Sequence, residues 1–208
     1  MPAFTKLALR AAFCALVAFA VLPGTGYAQS AEDEVENMAN QIKVLMEQLQ
    51  TRTEEFPPFL RELEQGLVDI EEAQERVQGL ITNLKEATTQ MEDNSAFDMA
   101  IDKYKDETIA LIAEAEASNN NAIKQAIPGL QATLDSLEAD DLKRNATVVD
   151  ARNLIRTLEE NDEALVFFIK ANQVQLAAQS IRENVAEFET IVENGKVLAE
   201  SLLEGATP

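Results

Sequence analysis

Apolar residues spaced three and four apart recur through almost the whole of this chain, and no stretch alternates with period two. That spacing places them on one side of an α-helix and leaves no half-buried strand to build a sheet from. The clearest instance spans 58–93, where Leu60, Leu63, Leu67, Ile70, Val77, Ile81, Leu84 and Met91 hold a heptad. Gln74 and Thr88 occupy its two polar seam positions. A repeat sustained that long is a coiled-coil-type seam. The spacing therefore predicts an all-α protein, an elongated antiparallel helical bundle with coiled-coil-type heptad packing.

The other segments extend this reading. Val35, Met38, Ile42, Leu45, Met46 and Leu49 predict an amphipathic helix over 31–55. Pro57-Pro58 ends it, because neither proline can donate a helical hydrogen bond, and Pro58 suits the first turn of the next helix. Ser95 with Asp98 resembles an acidic capping box at the head of a helix running from 96 to about 117. The stretch "SNNNA", residues 118–122, interrupts it, since asparagine side chains compete for backbone hydrogen bonds. A heptad resumes from Ile123 to about 139, with Pro128-Gly129 marking a kink or a late start. Asp140 or Asp141 is placed to cap a further helix through Val148, Ala151, Ile155 and Leu158. Continuing that phase puts Asp162 on the seam, so a break or phase shift is expected near Asn161-Asp162. Val174, Ala178, Ile181, Val185, Phe188, Val192, Ala199 and Leu202 then line a last helix over 163–203. Gly195 falls on its seam and leaves room for a close neighbour.

The first 28 residues read differently. Lys6 and Arg10 precede an unbroken apolar run from Ala11 to Leu22, then Pro23-Gly24 and the small-residue pattern Gly26-Tyr27-Ala28. This is the layout of a bacterial-type secretory signal peptide cleaved after Ala28. The run is too short for a spanning helix, which needs ~20 residues. The expected organisation is a leader at 1–28, one helical-bundle domain at 29–204 and a disordered tail at 205–208. The expected location is the periplasm or the medium.

Charge and missing residue types exclude much chemistry. The chain has 17 Lys+Arg against 37 Asp+Glu. The leader takes two of those bases and no acid, leaving 15 bases less 37 acids, or −22. Nucleic acid is excluded, because neutralising phosphates needs clustered bases. Adsorption to anionic lipid is disfavoured for the same reason, and no insertion in a membrane is expected after cleavage. Histidine is absent and the single cysteine, Cys14, lies in the leader. That removes histidine triads, histidine metal sites, thiol catalysis, zinc thiolates and disulfides. No cofactor and no enzyme activity are expected. The acid pairs Glu92-Asp93, Asp140-Asp141, Glu159-Glu160 and Asp162-Glu163 offer oxygen for Ca²⁺, but none sits in an EF-hand loop. Charge at helix ends is the simpler reading of them.

One stretch departs from the pattern. Leu165, Val166, Phe167, Phe168 and Ile169 follow one another with nothing polar between them. Five consecutive apolar residues cover more than one face of a helix. They fit either a core closed from two sides or an assembly and partner surface. Leu165, Phe168 and Ile169 share a face expected to point inward, with Val166 and Phe167 nearer the edge. Phe56 and Phe59 are expected to stack on Phe167 or Phe168. The function expected is that of an exported, non-enzymatic scaffold or envelope assembly factor acting through a protein partner or self-association. A small-ligand bundle of sensor type is the alternative, with Tyr104, Arg152 and Arg156 as its polar contacts. A holdase chaperone with basic clients is a third.

Overall fold

The computed structural model describes residues 25–206. The core of the expected leader and the last two residues of the expected tail lie outside the described residues. Those that are described form helices, with no strand among them: α1 Thr25–Glu54, α2 Phe56–Glu64, α3 Ile70–Met91, α4 Ala96–Ala117, α5 Asn121–Lys124, α6 Ile127–Lys170 and α7 Val174–Ala206. None of these helices is long and apolar enough to cross a membrane. The chain groups into two compact units. Unit 1 takes Asn94–Leu142 together with the described residues up to Asn40 and from Ala199; unit 2 takes Gln41–Asp93 and Lys143–Leu198.

Local chemistry explains most of the boundaries. Pro57 and Pro58 stand in the first turn of α2, as their missing N–H groups require. The Ser95 hydroxyl accepts from the Asp98 N–H at 3.1 Å, and the Asp98 carboxylate accepts from the Asn94 N–H at 2.7 Å. The expected acidic cap is therefore present at the head of α4. The Asn120 side chain accepts from the Ala122 N–H at 2.9 Å and starts the single turn of α5. Of the two readings of Pro128-Gly129, the late start is the one observed, with α6 beginning at Ile127.

Three expectations about breaks are corrected. The seam over 58–93 is not one helix. Gly66 adopts φ +69, its N–H donates to the Leu63 carbonyl at 2.9 Å, and the Leu67 N–H donates to the Glu62 carbonyl at 2.9 Å. This paired closure is a Schellman turn. Asp69 then caps α3 by accepting from the Glu72 N–H at 2.8 Å. Neither Asp140 nor Asp141 caps a helix, because α6 runs through both. Asp140 is buried and accepts from the Ser201 hydroxyl at 3.1 Å, while Asp141 pairs with Lys105 at 2.8 Å. Nor does the chain break at Asn161-Asp162. Asp162 is half-buried on the seam between buried Leu158 and Leu165, and its carboxylate accepts from Gln78 at 3.2 Å. The break comes at 171–173 instead. There Asn172 takes φ +57, and the Gln173 N–H donates to the Phe168 carbonyl at 2.7 Å.

Within unit 2, four elements are cross-linked in pairs. Lys85 of α3 meets Glu159 of α6 at 2.5 Å, and Glu92 meets Arg152 at 2.9 Å. Arg144 is 2% exposed; it donates to the Met91 carbonyl at 2.5 Å and reaches Asp93 at 3.4 Å, closing the last turn of α3. Lys196 of α7 donates to the side-chain amide oxygen of Gln50 in α1. Beside it Gly195 lies against Met46, as its seam position anticipated: a Cβ there would stand 2.5 Å from the Met46 sulfur. Within unit 1, Lys103 of α4 meets Glu34 of α1 at 2.7 Å, and Lys105 bridges Asp102 and Asp141. Buried threonines on these seams, Thr53, Thr88, Thr108 and Thr147, each donate to the carbonyl four residues earlier, so their hydroxyls cost the core little.

Candidate functional site

The run Leu165–Ile169 forms the last turn of α6, directly before the Schellman turn at Asn172. A helix end lacks the following turn that would cover its neighbours, and the burial pattern reflects this. Leu165 is buried at 3% exposure, Val166, Phe168 and Ile169 are half-buried, and Phe167 is 64% exposed. The aromatic rings do not pair as expected. Phe56 packs edge-on against Phe59 at 5.7 Å, and Phe167 packs edge-on against its own neighbour Phe168 at 6.0 Å. Arg76 instead covers Phe59, its guanidinium 4.9 Å from the ring centroid, while also pairing with Glu72 at 3.0 Å.

Two further exposed apolar residues belong to the same end of unit 2. Leu67, 70% exposed, directly follows the left-handed Gly66. Leu176, 47% exposed, opens α7 just past the turn. Two polar links join the helices that lead to these turns: Gln78 of α3 to Asp162 of α6, and Glu64, the last residue of α2, to Arg182 of α7 at 2.5 Å. Sequence reading missed Leu67 as a surface residue because it fits the heptad. The signal that finds it is Gly66 followed by Asp69-x-x-Glu72, a helix stop and then a capping box. Lys170 followed by Asn172 is the corresponding stop signal for α6.

The polar candidates are placed as follows. Tyr104 is half-buried in unit 1 on α4. Arg152 and Arg156 are exposed on the α6 portion of unit 2, with Arg152 held by Glu92. Tyr104 thus belongs to a different unit from the two arginines. A groove of about 310 Å³ lies elsewhere in unit 2, lined by Leu45, Leu49, Thr51, Arg52, Asn83 and Glu86. Six acids of these pairs are engaged by protein groups: Glu92 by Arg152, Asp93 by Arg144, Asp140 by Ser201, Asp141 by Lys105, Glu159 by Lys85 and Asp162 by Gln78. Among the described residues no three carboxylates converge to hold a metal.

Three ionisable groups of unit 1 are displaced from their ordinary behaviour, the first being Lys103, which its hydrogen bond to Glu34 raises above the usual lysine value. Burial pushes the Glu107 carboxyl up, only partly offset by Lys103, and its Oε2 is buried without a hydrogen-bond partner. Burial works against the Lys105 ammonium, but its hydrogen bonds to Asp102 and Asp141 outweigh this and hold it above the usual lysine range. Compared with family models, curated proteins and solved structures, the chain matches none.

Proposed function

We propose that this chain is an exported, non-enzymatic helical protein that acts through protein–protein contact, as a scaffold or assembly factor of a bacterial envelope. In this reading its helices form an antiparallel bundle with coiled-coil-type packing. The observation that carries it is the exposed apolar set Leu67, Phe167 and Leu176 at one end of unit 2, in a chain with more than twice as many acids as bases. Scattered exposed apolar residues are ordinary, but several gathered at two adjoining turns favour a contact surface. The leader sequence supports export, and the lack of histidine and of cysteine beyond Cys14 supports a role outside catalysis.

A second reading has its own support. The groove beside Leu45 and Leu49 offers Arg52, Asn83 and Glu86 as polar groups for a small ligand, the mixture a binding site uses. Crosslinking in the native envelope separates the two readings. Adducts to a defined protein, or to a second copy, are the expected result. A chain that crosslinks to no protein and sediments as a monomer overturns the interaction reading and favours the groove.

A further inference from the structure

We propose that the two-turn end of unit 2 is the docking site for an amphipathic helix bearing lysine and arginine. This rests on the interaction reading above and names the surface and the chemistry of its partner. The surface is apolar because local folding leaves these side chains uncovered. In a Schellman turn the residue after the left-handed position usually folds back on an apolar side chain of the preceding turn. Leu67 holds that place, but the positions it would meet are Glu62 and Arg61. It is left 70% exposed. Phe167 lies edge-on to Phe168 and is 64% exposed, and Leu176, 47% exposed, stands in the first turn of α7.

The surroundings set the sign of the partner. Residues 61–76 and 160–183, which build this end, hold ten acids and four bases. Two of those bases are committed, Arg76 to Glu72 and Arg182 to Glu64. An apolar seat with an acidic rim repels a second copy of the same end, and it repels anionic lipid, because like charges facing across a contact oppose binding. A helix with an apolar stripe flanked by lysine and arginine matches both features at once, with the stripe against Leu67, Phe167 and Leu176 and the cations against the rim.

The test is binding of a synthetic helix of ~18 residues built from leucine and lysine in amphipathic order, measured with the purified protein by calorimetry. Two controls accompany it, a scrambled peptide of the same composition and a leucine–glutamate helix. We expect saturable one-to-one binding of the ordered Leu/Lys helix that weakens with salt, and clearly weaker binding of both controls. Leu67→Ser and Phe167→Ser should each lower affinity by roughly tenfold, as truncation of a central anchor does. Both side chains are exposed, so the melting temperature should hold and serves as the folding control. Parent-like affinity in both variants overturns the proposal, because the attraction is then charge alone. Loss of a dimer in these variants, or loss of binding to vesicles of anionic lipid, overturns it in favour of a second copy or a membrane. Native crosslinks that map to another face overturn the site but leave the interaction reading standing.

Discussion

Gly79 and Gly195 sit within long helices, yet they face opposite surroundings. A Cβ at Gly79 meets nothing within 4 Å, whereas at Gly195 it meets the sulfur and Cγ of Met46, at 2.5 and 2.9 Å. Met46 is fully buried, so it has little room to move aside. In an open helix interior, glycine to alanine gains about 1 kcal/mol. Inserting a methyl into a filled core costs about 1–3 kcal/mol. Gly79→Ala should therefore raise the melting temperature by roughly 2–4 °C, the usual return on 1 kcal/mol in a domain of this size. Gly195→Ala should lower it despite the same gain in helix propensity. Thermal melts of the two variants side by side check this, and a rise in both would mean that α1 and α7 do not approach closely at Met46.

At the scale of elements, the two Schellman turns decide where unit 2 ends, and both are testable through one backbone angle. Gly66 at φ +69 and Asn172 at φ +57 hold the same left-handed position. Left-handed backbone costs a side chain with a Cβ about 1–2 kcal/mol, less for asparagine. Gly66→Ala should destabilise by about that amount, although its Cβ would meet no atom within 4 Å. Asn172→Gly should be neutral or mildly stabilising. If Gly66→Ala is neutral, α2 and α3 can join as the continuous heptad suggests. These turns also mark the limit of what apolar spacing discloses. It places the helices and much of the buried face, since Leu60, Leu63, Val77, Ile81, Leu84 and Met91 are all buried. It cannot register a turn that keeps the heptad in phase, which is why Leu67 reads as core and is not. It also misjudged Asp140, Asp141 and Asp162, because an acid within a helix looks like a cap or a fault until its partner is known. Ser201, Lys105 and Gln78 lie 61, 36 and 84 residues from those acids, so spacing gives no hint of them. The exposed end of unit 2 was half legible: the run Leu165–Ile169 was conspicuous, but Leu176 looked like a residue of mid-helix.

For the whole molecule, 37 acids against 17 bases give a net charge of −20. Such an excess repels itself and opposes folding. Screening shortens the reach of that repulsion from about 30 Å at 0.01 M to about 8 Å at physiological ionic strength. The melting temperature should therefore rise from low to moderate salt. Mild acid should raise it too, partly for a separate reason. Burial lifts the Glu107 carboxyl above its ordinary value of 4.5, so the folded chain takes up that proton before the unfolded chain does. Stability then grows as pH falls from neutral through the raised value, and the gain is complete below the unfolded one. Lys105 has the opposite window: its raised affinity for a proton stabilises the fold below 10.5 and is lost as pH climbs through the raised value. Salt separates the two acid effects, because it screens surface repulsion but does little for a desolvated carboxyl. At moderate salt the acid-induced rise should shrink without vanishing, and Glu107→Gln should raise the neutral-pH melting temperature while removing most of what remains. Melts of parent and variant across pH at two salt concentrations give the answer. If moderate salt abolishes the acid response in the parent, surface repulsion accounts for all of it and burial of Glu107 for none. An extra rise with Ca²⁺ at matched ionic strength would instead point to a carboxylate site that binds the cation.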